Sequence, residues 1–216
     1  MLKVYPVIHY YDDKTTIEQA LIAKESGADG VFLISHIGLD ERLIPLAVQI
    51  KKELEIKAGL NLLPYYPFHV ANIVRANNLD MVWFDNCGVS SEGLTEQGLD
   101  IKKFAENNPH IEVFASVAFK YQKEEPNPAL AATIAYDSKF IPTTSGSGTG
   151  FAPEVDKIKS MFSETGLLAI ASGMNNENID SFKNYLTHVL VSTGISKDDF
   201  HFDEIKIKDF IEKAKS

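Results

Sequence analysis

The chain has 216 residues, a formal net charge of −9 and a single cysteine, Cys87. This length suffices for one large domain with a substantial core. The negative charge argues against a nucleic-acid partner, because neutralising phosphates requires a basic face. A lone cysteine excludes an intrachain disulfide and indicates a reducing compartment, and no apolar stretch is long enough for membrane insertion. The composition therefore predicts a soluble, cytoplasmic protein.

Short apolar runs rich in β-branched residues recur along the chain and predict buried strands. Eight runs begin at positions 4, 30, 57, 81, 111, 139, 167 and 188. Their starts are spaced roughly 20 to 30 residues apart, which is the length that a repeated strand–helix unit needs. The runs are apolar at both odd and even positions, as expected for strands covered on both faces.

Helical patterns lie between these runs. Thr15-x-x-Glu18 resembles a capping box at the start of the first helix. Leu43, Ala47 and Ile50 then repeat at helical spacing. Eight near-even alternations predict an α/β protein, a single (β/α)8 TIM barrel near its minimal size over residues 1–216. An open doubly wound sheet is the alternative, although it normally has fewer and less uniform units.

Polar side chains at the predicted strand ends are the candidate catalytic residues, since such barrels carry their active sites at the C-terminal ends of the strands. Asp85 follows the fourth strand and suits proton transfer; the alternative is that it caps the next turn. Lys120 suits pairing with a phosphate or carboxylate, or Schiff-base formation if burial lowers its pKa, and otherwise is a solvated lysine. Asn61 and His9 are expected to orient or polarise the substrate.

A metal site is the weaker interpretation of the same strand ends. His9, His36 and Asp85 together have the chemistry to bind a divalent cation. No HExxH-type spacing accompanies them, so neither a metal nor another cofactor is predicted.

Small and hydroxyl-bearing residues follow the last three predicted strands. Glycine leaves the backbone N–H groups unshielded, and barrels often hold phosphate at the loops after strands seven and eight. A short helix beginning near Gly194 would add further N–H groups. The alternative is that these glycines only close turns. The candidate phosphate-binding residues are Ser145, Gly146, Gly148, Gly173, Ser192, Thr193 and Gly194.

Residues 64–68 form an aromatic segment after the third predicted strand. Aromatic side chains there suit three roles: packing a sugar or base, shielding the barrel mouth, or contacting a second copy in a homo-oligomer. The sequence alone leaves these alternatives open.

The order of several segments resembles the BtpA family, which belongs with the ribulose-phosphate-binding barrels. The segments are PVIHYYD (6–12), AKESGADGVFL (23–33), AGLNLL (58–63), GVSSEGLTEQGL (88–99), IEVFASVAFK (111–120), TSGSGTGFAPEVDKI (144–158), SGMNNENI (172–179) and VSTGIS (191–196). Most are common in barrels, whereas residues 95–98 and 145–150 are more specific.

The resemblance implies a barrel fold but only a loosely defined activity. The founding member is associated with photosystem I accumulation in cyanobacteria, and other members carry tentative enzyme assignments. The family tends to have an acidic residue and a histidine in the fifth strand where this chain has Ser116 and Ala118. The matching Lys120 is present.

Two functions follow from these observations. The first is an enzyme acting on a small phosphorylated metabolite, such as a phosphosugar or nucleotide-like compound, with isomerase, lyase and phosphoribosyl-transfer chemistry all open. The second is a non-catalytic assembly or stability factor on a barrel scaffold, which Ser116 and Ala118 favour.

Overall fold

The computed structural model describes residues 1–216 and contains eight parallel strands that close into a barrel. The strands are β1 (Lys3–His9), β2 (Gly30–Ile34), β3 (Lys57–Asn61), β4 (Met81–Phe84), β5 (Glu112–Ser116), β6 (Ile141–Thr144), β7 (Ala169–Ala171) and β8 (His188–Val191). β1 pairs with β2 on one side and with β8 on the other, which closes the barrel. The predicted (β/α)8 TIM barrel is confirmed.

Eight helices surround the strands. They are α1 (Asp13–Glu25), α2 (Asp40–Leu54), α3 (Pro67–Ala76), α4 (Glu96–Asn107), α5 (Pro128–Asp137), α6 (Val155–Thr165), α7 (Ile179–Phe182) and α8 (Glu204–Lys215). A two-stranded hairpin, Val89–Ser90 with Gly93–Leu94, lies between β4 and α4. None of the helices combines the length and apolar character needed to pass through a bilayer.

The start of α1 differs from the sequence prediction. Asp12 caps the helix, and its carboxylate accepts a hydrogen bond of 2.6 Å from the backbone N–H of Thr15. Thr15 therefore lies inside the helix, and Glu18 pairs with Lys14 on its surface. The capping-box prediction was wrong because an aspartate three residues earlier supplies the carboxylate that the first turn needs.

The apolar core has two parts. Fifty buried residues pack between strands and helices, while a smaller cluster of twelve fills the barrel interior. Aromatic rings dominate the inner cluster: Phe32 and Phe114 meet edge to face with ring centres 5.2 Å apart. Gly59 makes room for them, because a Cβ there would lie 2.5 Å from the Phe32 ring.

A charged network closes the N-terminal end of the barrel. The Glu112 carboxylate on β5 accepts hydrogen bonds from Lys3 on β1, Lys57 on β3 and the Tyr5 hydroxyl, each of 3.1 Å. Burial by itself would raise the pKa of Glu112, but the hydrogen bonds and charges of Lys57 and Lys3 outweigh it and hold that pKa below its ordinary value. This network links β1, β3 and β5 at the N-terminal end of the barrel, opposite the loops that follow the strands.

Glu112→Gln is expected to destabilise the fold by about 2 kcal/mol, because it leaves two lysines without their partly buried partner. Since the folded pKa is lowered, the carboxylate's contribution is present above the unfolded pKa and is lost as the pH falls through the folded value. Urea unfolding of both proteins from pH 7 down to pH 3 measures this. Equal stability of the two proteins at pH 7 would contradict it. Glu106→Gln, which breaks an exposed helix pair with Lys102, is the control and should change little.

Candidate active site

A cavity of about 480 Å³ opens at the C-terminal ends of the barrel strands. Its floor is apolar and buried, and consists of Val7, Ile34, Trp83, Ala171 and Leu190. Polar residues from the loops surround this floor. The arrangement matches the place where barrels of this kind carry their active sites.

Asp85 and Asn61 form a fixed pair at the ends of β4 and β3. The Asn61 amide donates a 2.9 Å hydrogen bond to Oδ1 of Asp85, and Asn61 is only 2% exposed. The Gln122 amide also donates to the Asp85 carbonyl oxygen. Asp85 lines the cavity whereas Asn61 does not, so Asn61 orients the carboxylate from behind. The other carboxylate oxygen remains available for proton transfer.

Lys120 reaches the cavity from the loop after β5. Its backbone N–H donates to the Ser145 hydroxyl at 2.7 Å, and its ammonium donates to the Thr149 hydroxyl at 3.1 Å. Burial lowers the pKa of Lys120, while the charge of Asp85 acts in the opposite direction. The half-buried ammonium group of Lys120 is therefore fixed by Thr149 and lines the same cavity as Asp85.

His9 and His36 lie together at the mouth, with ring centres 5.0 Å apart. Burial, and then the neighbouring His36, lowers the pKa of His9 to about 4. His9 is therefore neutral near pH 7 and offers a hydrogen bond rather than a charge. No three side chains among the histidine, cysteine and acidic residues form a group able to hold a metal ion.

The first predicted phosphate loop, after β6, lies differently from the prediction. Ser145 is fully buried, and its hydroxyl donates to the Gly146 carbonyl while accepting from Lys120. A Cβ on Gly146 would lie 2.0 Å from the Phe151 carbonyl oxygen, so this glycine serves close backbone packing. Neither of them, nor Gly148, lines the cavity, because the loop turns them away from it. Their neighbours Thr149 and Gly150 line it instead.

The loops after β7 and β8 do line the cavity, through Gly173, Ser192, Thr193 and Gly194. The backbone N–H groups of Gly173 and Ser192 have no backbone acceptor within the chain. The structure thus brings four of the seven predicted phosphate-binding residues together beside unpaired backbone donors.

Two of these glycines also allow the loops to touch. A Cβ on Gly194 would lie 2.0 Å from the Met174 carbonyl oxygen, and one on Gly173 would lie 2.3 Å from the Ala152 nitrogen. The short helix expected near Gly194 is a 3-10 helix of three residues, Thr193–Ile195, which is too short to carry an appreciable dipole. Any anion there is held by individual N–H and hydroxyl groups rather than by a helix dipole.

The sequence analysis did not name several lining residues: Leu63, Trp83 and Asn175, and, within the 145–150 loop that it did identify, Thr149 and Gly150. Trp83 had a usable signal, because alternation along β4 places it on the same face as Met81, inside the barrel. The loop residues had none, since only the path of each loop decides which of its side chains reaches the mouth.

Ser116 and Ala118, which differ from the BtpA pattern, form hydrogen bonds within the protein and do not line the cavity. Ser116 is 1% exposed, and its hydroxyl accepts a 3.0 Å hydrogen bond from the indole N–H of Trp83. Ala118 has a left-handed backbone, with φ of 48°, and its carbonyl accepts from Thr144 and Lys157. Neither residue lines the cavity.

No protein-family model matches the sequence, and no curated protein matches it. Solved structures do match. Phosphoribosyl anthranilate isomerase, in complex with reduced 1-(o-carboxyphenylamino)-1-deoxyribulose 5-phosphate, has a TM-score of 0.68 at 21% identity over 100% of this chain and 99% of that chain. (S)-3-O-geranylgeranylglyceryl phosphate synthase from Thermoplasma acidophilum, in complex with sn-glycerol-1-phosphate, has a TM-score of 0.71 at 13% identity, covering 99% and 93%.

A third match is KGPDC from Streptococcus mutans, with a TM-score of 0.69 at 11% identity over 100% of this chain and 98% of that chain. At such identities the likeness establishes only the fold, a (β/α)8 barrel shared with these proteins over nearly its full length. The BtpA resemblance remains a prediction.

Gly194→Ala is expected to destabilise the protein by about 1–3 kcal/mol, because its Cβ would collide with the Met174 carbonyl. Gly148→Ala is the matched control, since its Cβ would meet the Phe151 ring at an ordinary 3.5 Å. Thermal unfolding of the two variants measures the difference. Equal stability would mean that the loops after β7 and β8 do not pack as closely as described.

His9 is expected to titrate near pH 4 by imidazole NMR, because burial disfavours its charged form. His36→Ala should raise that pKa slightly, since a like charge is removed. The lowered pKa also makes the folding stability depend on pH, because the unfolded chain binds this proton near pH 6.5. The stabilisation from neutral His9 is therefore complete above pH 6.5 and declines between about pH 6.5 and 4. A His9 pKa above 6 would contradict the described burial.

Proposed function

We propose that this protein is an enzyme acting on a small phosphorylated metabolite, with the phosphate bound by the loops after β7 and β8. The unpaired N–H groups of Gly173 and Ser192 and the exposed hydroxyl of Thr193 support this, because a phosphate needs several converging donors. Gly194 lets the last loop approach closely. Few positive charges are required, which is compatible with an acidic protein.

The observation that carries an enzymatic function is the Asp85–Asn61 pair across the same cavity. A carboxylate held in one orientation, with a free oxygen facing a ligand cavity, suits a general base. Lys120 is placed to polarise a carbonyl or to stabilise developing negative charge. Neutral His9 donates or accepts a hydrogen bond to orient the substrate. Isomerase, lyase and phosphoribosyl-transfer reactions all use these groups.

The similar structures support the proposal in general terms. Two of them are described with phosphorylated ligands, a deoxyribulose 5-phosphate derivative and sn-glycerol-1-phosphate. A phosphosugar or nucleotide-like compound is therefore our proposed substrate class for this chain, bound in a cytoplasmic BtpA-like barrel.

A non-catalytic assembly factor is the second candidate. The specific observation in its favour concerns Ser116 and Ala118, which occupy the positions where the BtpA family tends to carry an acid and a histidine. Ser116 is hydrogen-bonded to Trp83, and neither residue lines the cavity. The exposed aromatics Tyr66 and Phe68 would then contact a partner or a second copy.

Thr193→Asp is expected to weaken inorganic phosphate binding at least tenfold, because it adds a negative charge beside the proposed anion site. Calorimetric titration with phosphate and with glycerol phosphate measures the affinity. Ser160→Asp adds the same charge on the exposed face of α6 and should leave the affinity unchanged. The phosphate site would be refuted if the wild-type protein bound neither ligand.

Asp85→Asn is expected to lower turnover by about 10²–10⁴-fold while the fold and phosphate binding persist, because only the proton-transferring group is lost. Turnover is first sought in a screen of phosphosugars and nucleotides, with substrates chosen by thermal stabilisation. An assembly factor would instead keep its cellular role in the Asp85→Asn variant, which separates the two candidates.

A further inference from the structure

The two sides of the cavity differ in chemistry. The closed strand order places β3 opposite β7 and β2 opposite β6. The loops after β7 and β8 bring small and polar residues to the cavity. The opposite side is formed by Ile34 at the end of β2, His36 in the following loop and Leu63 after β3. A ligand held by its phosphate at one side therefore points its other end toward apolar side chains.

Exposed apolar side chains extend this side beyond the cavity. Five of them, here called the apolar rim, lie in the loops after β2 and β3 and at the start of α3: Ile37, Leu39, Leu63, Tyr66 and Phe68. Their exposure ranges from 41% for Leu63 to 80% for Tyr66. The loops after β7 and β8, residues 172–178 and 192–203, carry no large apolar side chain that is exposed. Tyr121 after β5 and Phe151 after β6 are exposed as well, but they lie apart from this group in the fold. Surface patches of this kind commonly mark binding sites.

The cavity floor offers an aromatic face and no spare donor. The only N–H of Trp83 donates a hydrogen bond to the Ser116 hydroxyl, so Trp83 offers a ligand only the face of its ring. Edge-to-face contacts with Phe32 and Phe119, each with ring centres 6.1 Å apart, hold the indole in place. A flat apolar group, or a chain of methylene groups, gains most from such a surface.

The apolar side of the cavity offers no lysine or arginine to a second anionic group. Asp85 is the acidic residue and Lys120 the lysine that line the cavity, and they come from the loops after β4 and β5. No arginine or second lysine faces Leu63 or Ile34 from within the cavity. A volume of about 480 Å³ also exceeds the needs of a triose phosphate and lies in the range typical of larger ligands.

We infer that the phosphorylated ligand carries an uncharged apolar substituent, aliphatic or aromatic, that packs on Trp83 and leaves the barrel over Ile34 and Leu63 toward the apolar rim. This inference rests on the proposed function, because the phosphate sets the direction of the ligand. It narrows the substrate class from small phosphorylated metabolites in general to phosphomonoesters that also carry an apolar group.

Calorimetry with inorganic phosphate, glycerol phosphate and hexyl phosphate tests it. Hexyl phosphate is expected to bind at least about tenfold more tightly than glycerol phosphate, because its chain is buried. Leu63→Ser should weaken hexyl phosphate binding about three- to tenfold and leave inorganic phosphate unchanged. Leu99→Ser is the matched control: Leu99 is 55% exposed on α4, away from the cavity, and its loss should change neither affinity.

The possible outcomes separate this inference from the proposed function. Equal affinities for hexyl and glycerol phosphate, with inorganic phosphate bound, overturn the inference and leave the phosphate site intact. Failure of all three ligands to bind overturns both. Light scattering tests the alternative that the apolar rim is a subunit interface. If the wild-type protein is a dimer and Leu63→Ser is a monomer, the rim is such an interface and the inference is overturned.

Discussion

Closure of the parallel barrel is the constraint on which every proposed role depends. β1 pairs with β8, so the last loop of the chain is carried round to the same mouth as the first. Because all strands are parallel, every loop that follows a strand opens at one end, and Asp85 thereby faces the same cavity as Ser192. The Glu112 network secures the other end, far from these groups. The stabilising network and the candidate active site therefore lie at opposite ends of the same strands.

Close backbone contact organises the mouth itself. Gly146 and Gly173 let neighbouring loops approach the Phe151–Ala152 segment, and Gly194 packs on the backbone at Met174. These contacts set the positions of the unpaired N–H groups, while Ser172 bridges the loops by donating to the Gly148 carbonyl and accepting from the Gly150 N–H. The packing role of the glycines is compatible with their proposed role in binding, since a residue without a side chain makes a close contact and leaves its own N–H open.

Polar positions in the site are held by partners outside the cavity. Asn61 fixes Asp85, and Ser145 fixes the backbone of Lys120. The predicted residues therefore divide into those that face a ligand and those that orient them. Catalytic groups with such support lose little orientation freedom when substrate binds. Ser145, expected to hold phosphate, belongs to the supporting group because its hydroxyl is buried between two backbone groups.

The sequence by itself determined the fold and the end of the barrel that carries the polar groups. Eight evenly spaced apolar runs suffice for that, since strand burial and helix periodicity are local patterns. The cavity is lined by His9, Asp85, Lys120, Gly173, Ser192, Thr193 and Gly194, each of which ends a strand or follows one closely, while their proposed roles remain predictions. Tertiary structure alone decided that Gly148 turns away while Thr149 turns inward, because the path of a loop depends on neighbouring loops far away in sequence. It also decided that Ile34 and Leu63 lie across the cavity from the loops after β7 and β8, since only closure of the barrel makes β3 and β7 face each other.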